Sequence, residues 1–204
     1  MGESAALAPW RSPLSRALHR NRSLVYARYA QLATVTQDGK PANRTIVFRG
    51  FVDQAVAGHC NDLKFITDRR SQKTSQIEPQ PAGELCWYFP KTREQFRLSG
   101  PLMIVGTATA DTSDAAWQKL RRTTWHNLSD NARSSFAWPS PKADRDDESA
   151  FTPEPLDAQQ PLDDFCLLLL TPIAVDHLEL KGNPQNRCLY TRENGVWKQR
   201  SVNP

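Results

Sequence analysis

The feature that most constrains the fold is a series of short β-like segments in hairpin order. Residues 29–36 alternate apolar and polar side chains, Gln37-Asp38-Gly39-Lys40 supplies a tight turn, and residues 41–51 continue in extended form. Asp-Gly between two β-rich runs is a strong hairpin signal. Further strands are predicted at residues 63–67, 84–89, 95–107, 165–171, 176–180, 187–191 and 196–202. About eight or nine strands in this order predict a mainly β fold, an antiparallel barrel or sandwich with added helices.

Helical patterns are few and lie between these strands. Candidate N-caps are, in chain order, Ser12, Asp68, Ser113 and Ser129, with Asp68 preceding a helix over residues 69–77. Residues 140–164 are rich in proline and acidic side chains and lack apolar periodicity. Such a segment is typical of a loop or a partly disordered insert. With this insert, residues 1–204 have the length of a single domain.

Charge and cysteine usage exclude several classes of protein. The net charge is +4, and the basic residues are scattered rather than gathered in one stripe. We therefore expect a small anionic ligand rather than a nucleic-acid partner. The four cysteines form no C-x-x-C pair, and no histidine stands at ligand spacing, so no metal site is expected. The sequence shows no signal peptide and no apolar run near the roughly 20 residues that a membrane span needs. We therefore expect a cytoplasmic protein without a membrane partner.

The segment most suited to chemistry lies between residues 43 and 73. Arg44-Thr45-Ile46-Val47-Phe48-Arg49 is a strand with a cation near each end, on opposite faces unless a bulge or the strand end intervenes. A second strand runs through Thr67 into a helix that carries Ser71 and Lys73. A strand-to-helix junction offers free backbone N–H groups, and hydroxyls and cations add to them, so this arrangement suits a phosphate.

An ordinary structural role explains the same residues. Arg69, Arg70 and Lys73 form the solvated face of a short helix equally well, because basic surface runs are common. Arg44 and Arg49 could likewise be exposed residues of a barrel. Spacing alone therefore leaves both interpretations open.

Four segments in order resemble the pyridoxamine 5′-phosphate oxidase family. Arg-Thr-Ile-Val-Phe-Arg is similar to the family's Arg-x-Val-Leu-Leu-Lys strand, and Phe-Ile-Thr-Asp-Arg-Arg-Ser-Gln-Lys to its Phe-Tyr-Thr-Asn-Tyr-x-Ser-Arg-Lys segment. Residues 84–100 resemble its aromatic strand followed by Arg-Gln-Val-Arg-x-x-Gly, and residues 178–200 resemble its closing hairpin. The resemblance extends from about residue 29 to residue 204 and is greatest to an oxidase-related branch of FMN-binding split-barrel proteins.

The resemblance implies a split β-barrel with flanking helices, a homodimer, and FMN at the subunit interface. The flavin phosphate would contact Arg44, Ser71, Gln72 and Lys73. The ring would lie beside Thr45, Ile46, Val47, Ile66 and Thr67, and Gln95 would reach it from the partner subunit. Arg49 stands where the family has a lysine for the flavin or the substrate phosphate. Gln72 replaces a phosphate-binding arginine, a loss for which Arg69 or Arg70 would have to compensate.

The substrate end departs further from the family pattern. The oxidases close with Arg-Leu-His-Asp-Arg, but this chain has Arg187-Cys188-Leu189-Tyr190-Thr191 and retains only Arg187 as a substrate contact. Lys181 stands where the family has a tryptophan beside the flavin. Each lost charge-assisted bond is worth about 1.5–3 kcal/mol, so efficient oxidation of pyridoxamine phosphate is not expected.

The other candidate groups are weaker. Trp125 and Trp138 lie where the family places substrate and flavin contacts, but aromatics of the core or of an interface are the commoner case. His177 beside Asp176 could form an acid–base pair, although a surface role is more usual.

No side chain is therefore assigned a catalytic role. The leading hypothesis is a homodimeric FMN-dependent oxidoreductase acting on an unidentified small molecule. The alternatives are a flavin-binding module without turnover and, ranked lower, a haem-binding split-barrel protein.

Overall fold

The computed structural model describes residues 6–52, 56–107 and 115–204. In this part of the chain the order is α1 (Arg11–Asn21), β1 (Tyr29–Val35), β2 (Pro41–Val47), β3 (Leu63–Asp68), α2 (Gln72–Ile77), β4 (Ala82–Phe89), β5 (Glu94–Val105), α3 (Ala115–His126), α4 (Asp130–Ser134), β6 (Phe165–Leu170), β7 (Ala174–Glu179), β8 (Asn186–Glu193) and β9 (Val196–Val202). Every strand pairing is antiparallel. The mainly β class with flanking helices, predicted from the hairpin order, is confirmed.

Strand β5 closes the barrel by pairing with different neighbours along its length. The main order is β2-β1-β4-β5-β7-β8-β9, and β6 joins β5 to β3 away from this path. The first half of β5 pairs with β7, and Leu102–Val105 pairs with Leu167–Leu170 of β6. Gly100 lies at the transition, where an added Cβ would stand 2.0 Å from the carbonyl oxygen of Thr171. Only glycine fits this close approach of two backbones.

The core consists of two apolar clusters separated by β6. All six residues of β6 are buried, so both of its faces are covered. Because strand side chains alternate, Leu168 and Leu170 enter the barrel cluster, while Phe165, Leu167 and Leu169 enter a second cluster beneath α3. The apolar run that was predicted as a strand is therefore the central element shared by the two clusters.

Several predicted boundaries are wrong by a few residues. Helix α1 begins at Arg11 after Trp10, not after Ser12, because Trp10 is fully buried and anchors the entry. Strand β2 ends at Val47 rather than residue 51, since Gly50 takes a φ of +107°. The predicted helix over residues 69–77 begins only at Gln72.

The candidate helix caps have different outcomes. Asp68 does not cap α2, because its carboxylate accepts from the backbone N of Arg70 at 2.7 Å, and Ser71 occupies the cap position. Ser129 does cap α4, accepting from the backbone N of Ala132. Ser113 lies outside the described residues.

The segment over residues 140–164 packs against the helices next to it. It contains a short 3₁₀ turn, Glu148–Phe151, within otherwise irregular backbone. Its later part is held by side chains of α3: Trp125 donates its Nε1–H to the carbonyl oxygen of Asp157 at 2.8 Å, and Arg121 donates to that of Leu162 at 2.5 Å. In the described ranges no helix has both the length and the apolar character needed to cross a membrane.

Candidate functional site

Lys73 lies at the junction of β3 and α2, surrounded by hydroxyl groups. Its Nζ donates to Thr67 Oγ1 at 3.0 Å and to Ser71 Oγ at 2.9 Å, and these two hydroxyls are 3.2 Å apart. Burial, and next the positive charge of Arg44, lower the pKa of Lys73 below its ordinary 10.5. The ammonium group is therefore held by neutral oxygens in a place that disfavours its own charge.

Arg44 completes a pair of cations on the adjoining strand. Its guanidinium donates to the hydroxyl of Thr34 at 2.6 Å, to the carbonyl oxygen of Leu32 at 3.1 Å and to Gln76 Oε1 at 2.9 Å. Burial lowers its pKa. Within the described ranges no carboxylate forms an ion pair with either Arg44 or Lys73. Two neighbouring cations without a directly paired carboxylate favour an anionic ligand.

Gln76 is one of the groups that hold Arg44 in place. Its side-chain oxygen accepts from Thr34 Oγ1 at 2.6 Å as well as from Arg44, so one amide ties α2 to β1 and β2. Thr34 and Gln76 were not predicted from the sequence, although both stand at regular positions: Thr34 faces inward on β1, and Gln76 lies one helical turn after Gln72. The available signal was that a half-buried arginine needs acceptors on the neighbouring elements.

The remainder of β2 presents an edge. Ile46 is buried in the barrel cluster, while Thr45 is exposed and Val47 half-buried. In the described part of the chain β2 pairs only with β1, so the backbone groups on its other side are open to a ligand. Ile66, on the neighbouring β3, packs partly against the second apolar cluster.

Gln72 is exposed at the first position of α2 and contacts a residue of the 140–164 segment. The Nζ of Lys142 donates to the Oε1 of Gln72. Arg70 is not free to replace the missing arginine, since it is paired with Asp68 at 2.6 Å and with Asp164 at 3.2 Å. Lys142 is the cation in contact with Gln72, and the sequence did not predict this contact.

Gln95 lies apart from these groups. It is on β5, half-buried, opposite Tyr88 of β4 and Leu178 of β7. Three strand-to-strand steps separate β2 from β5, about 14 Å at ordinary sheet spacing. The structure of one chain thus does not bring Gln95 together with Arg44 and Lys73.

The two candidate substrate residues differ in how far their charge is already paired. Burial, and next the charge of Arg28, lower the pKa of Arg49, and its buried Nε has no hydrogen-bond partner among the described residues. Arg187 instead forms a two-pronged pair with Asp176, at 2.9 and 2.6 Å. Arg49 therefore has a buried donor without a partner in the described ranges, whereas Arg187 is already paired with a carboxylate.

The histidine and tryptophan candidates have structural partners. His177 does not pair with Asp176; its Nε2 lies 2.9 Å from Glu94 Oε2, and its ring stacks on Phe96. Neighbouring residues on a strand point to opposite faces, so adjacency in the sequence does not bring the side chains of Asp176 and His177 into contact. Trp125 is fully buried in the second cluster, and the ring of Trp138 contacts that of Phe151.

Comparison with known proteins relates this site to a family. Residues 7–106 match the family model described as pyridoxamine 5′-phosphate oxidase, FMN-binding domain. Pyridoxine/pyridoxamine 5′-phosphate oxidase 2 of Arabidopsis thaliana is 34% identical over 203 residues, 97% of this chain and 98% of that protein. The crystal structure of a pyridoxamine 5′-phosphate oxidase-related, FMN binding protein from Nostoc punctiforme PCC 73102 is 53% identical, with a TM-score of 0.90 over 98% of this chain and 100% of that one.

A more distant solved structure has the same fold. PhzG from Burkholderia lata 383 is 18% identical, with a TM-score of 0.74 over 98% of this chain and 94% of that one. The predicted split barrel and the predicted FMN cofactor are both confirmed. On its nearly full-length match to the Arabidopsis protein, and with FMN as the cofactor of its matched domain, this chain belongs to the pyridoxamine 5′-phosphate oxidase family.

Proposed function

We propose that this protein is an FMN-dependent oxidoreductase that acts on a small molecule, with the flavin phosphate held by Arg44 and Lys73. The observation that carries the proposal is this pair of cations without a carboxylate partner in the described ranges. A phosphate would accept from both cations and from the hydroxyls of Thr67 and Ser71, which now hydrogen bond each other. These residues therefore fit the cofactor of the family.

The residues assigned to the ring are those of the β2 edge and β3. The outward-facing backbone groups of Thr45 and Val47 would hydrogen bond the polar edge of the isoalloxazine, whereas those of Ile46, between them, face β1. Ile66 would add apolar contact. Gln72 would position Lys142 beside the phosphate. When bound, the flavin supplies the redox chemistry by accepting and donating electrons. The protein's own residues bind and orient, and none is assigned as an obligatory acid or base.

We further propose a homodimer in which Gln95 completes the partner's flavin site. The separation of Gln95 from Arg44 within one chain supports this assignment. Exposed aromatic and apolar side chains next to both places support it as well: Tyr88 faces Gln95 across β4 and β5, and Val25 and Tyr29 flank the start of β1. Surface patches of this kind are typical of interfaces. The single domain over residues 1–204 and the cytoplasmic location belong to the same proposal.

At the substrate end, Arg49 is the best-placed cation for an acidic group of the substrate. Arg187 would take part only by exchanging Asp176 for the substrate. This occupied arginine is also the observation that favours the second candidate, a flavin-binding module without turnover. The two candidates share the phosphate site and differ only in whether a substrate is oxidised.

The absorption spectrum of the purified protein tests FMN binding, which both candidate functions share. We expect flavin bands and release of FMN on denaturation, whereas a colourless protein that also ignores added FMN would overturn the proposal. Turnover is tested separately by mixing the holoprotein with a panel of amines under oxygen and with NAD(P)H. Flavin reduction by any of them supports the oxidoreductase. No electron transfer to or from any partner supports the binding module.

A further inference from the structure

The inner face of the barrel carries a cluster of charged side chains that the flavin site does not use. Glu94 of β5 and Glu179 of β7 are direct partners in the register of these two strands. His177 precedes Glu179 by two residues and therefore shares its face. One potential metal-ligating atom of each of the three side chains lies within 4.8 Å of the other two.

The carboxylates of Glu94 and Glu179 would be stabilised by a positively charged group between them. Like charges directly opposite each other on paired strands are destabilising, and Glu94 is only 8% exposed. The Nε2 of His177 lies 2.9 Å from Glu94 Oε2, so this buried carboxylate is in contact with an imidazole.

Space for a ligand lies next to the cluster. A cavity of about 290 Å³ is lined by His177 and Glu179, with Pro13 and Arg16 of α1 on another side. Asn186 donates its Nδ2–H to Glu179 Oε2 at 3.3 Å, and the His177 ring stacks on Phe96 with centroids 4.0 Å apart. Such contacts around a ligand set fix its orientation.

We propose that Glu94, His177 and Glu179 bind a divalent transition-metal ion, with Zn²⁺ as the best match to one imidazole and two carboxylates. Tetrahedral Zn²⁺ with ligands at about 2.0–2.1 Å spaces its ligand atoms about 3.3 Å apart, close to the 2.9 Å that separates His177 Nε2 from Glu94 Oε2. A fourth position would be left for water. Metal binding would replace the hydrogen bond between His177 Nε2 and Glu94 Oε2, releasing its proton to solvent, and would add a side-chain link between β5 and β7.

This site was not visible in the sequence. Glu94 stands 83 residues before His177, so ligand spacing along the chain gave no signal. The nearby cations Arg16 and Arg20 oppose a metal ion, but the two carboxylates and the metal form a neutral set. The competing explanation is that a hydrogen bond from His177 alone holds the two acids together, and the experiment separates this from metal binding.

The experiment is equilibrium dialysis of the chelator-treated holoprotein against ZnCl₂, with zinc and flavin both quantified. We expect one Zn²⁺ per chain and a higher melting temperature with zinc. Both His177→Ala and Glu179→Gln should weaken zinc binding by at least about 100-fold, since losing even a supporting contact costs about 10- to 100-fold. The half-buried Glu179 provides the variant that is less prone to misfold.

His59→Ala is the matched control, because His59 also pairs with a buried carboxylate, that of Asp62 at 2.6 Å. It should leave zinc binding unchanged. Wild-type protein that takes up no Zn²⁺ would overturn the proposal in favour of the proton-bridged pair. Stoichiometric binding that survives in both His177→Ala and Glu179→Gln would overturn it as well. Flavin content is read in the same samples, so failure of the zinc site is distinguishable from failure of the flavin site.

Discussion

Replacing Lys73 with methionine tests the phosphate site most directly. Methionine keeps an unbranched, largely apolar side chain but removes the ammonium that contacts Thr67 and Ser71. A hydrogen bond to a charged group contributes about 1.5–3 kcal/mol. The dissociation constant of FMN should therefore rise about 10- to 150-fold, at about 1.4 kcal/mol for each factor of ten.

Riboflavin, which lacks the phosphate, makes the assay specific. Quenching of flavin fluorescence on titration with apoprotein gives the affinity for FMN and the affinity for riboflavin. Lys73→Met should lower the affinity for FMN and leave the affinity for riboflavin unchanged. The apoprotein should melt at the wild-type temperature or above it, because the variant removes a cation from beside Arg44. Lys119→Met, on the exposed side of α3, is the matched control and should change neither affinity. Equal losses for FMN and riboflavin, or a lower melting temperature, would refute the reasoning.

The depressed pKa of Lys73 adds a pH dependence with a definite sign. In the apoprotein its pKa lies below 10.5, so the folded chain binds this proton less tightly than the unfolded chain does. Stability of the apoprotein therefore rises as pH increases through the folded-state pKa towards 10.5. FMN affinity changes the other way, since only the protonated amine binds phosphate well, and this alkaline loss should be absent in Lys73→Met.

Three further substitutions or labels test other parts of the structure. Gln76→Leu should weaken FMN binding about 3- to 10-fold in the same titration by releasing Arg44, a smaller effect than loss of the cation. Gly100→Ala should destabilise the protein by about 3 kcal/mol or more in urea unfolding, because the new Cβ meets backbone; Gly83→Ala, which meets only a side chain, should cost less. Burial raises the pKa of Cys166 to about 11, so iodoacetamide followed by mass spectrometry should label Cys166 only after unfolding.

The fold was predictable because its signals are local. Asp38-Gly39 marks the first hairpin, and the apolar run of β6 marks a buried strand; both need only a few neighbouring residues. The boundary of α2 was not predictable in the same way. Asp68 and Ser71 are both good caps, and the choice between them depends on Arg70, whose guanidinium holds the Asp68 carboxylate.

The proposed flavin site was predictable only in part, for a related reason. Arg44 and Lys73 belong to short ordered motifs, so the resemblance assigned them. Gln76 and Lys142 lie outside those motifs and reach the site through contacts between elements. Such contacts depend on how α2 packs on β1 and on where the 140–164 segment runs, and neither follows from local pattern.

The two ends of the proposed site differ in how far their cations are already paired, and this difference bears on which substrate the proposed oxidoreductase would accept. At the phosphate end, Arg44 and Lys73 have no carboxylate partner in the described ranges, so an anion gains both cations without displacing another. At the substrate end, the Nε–H of Arg49 is buried without a partner in the described ranges, and an anion must compete with Asp176 for Arg187. A substrate that depends on two cations is therefore selected against, whereas one with a single acidic group, or none, loses little. This argues for a substrate other than a doubly charged pyridine phosphate while leaving FMN binding intact.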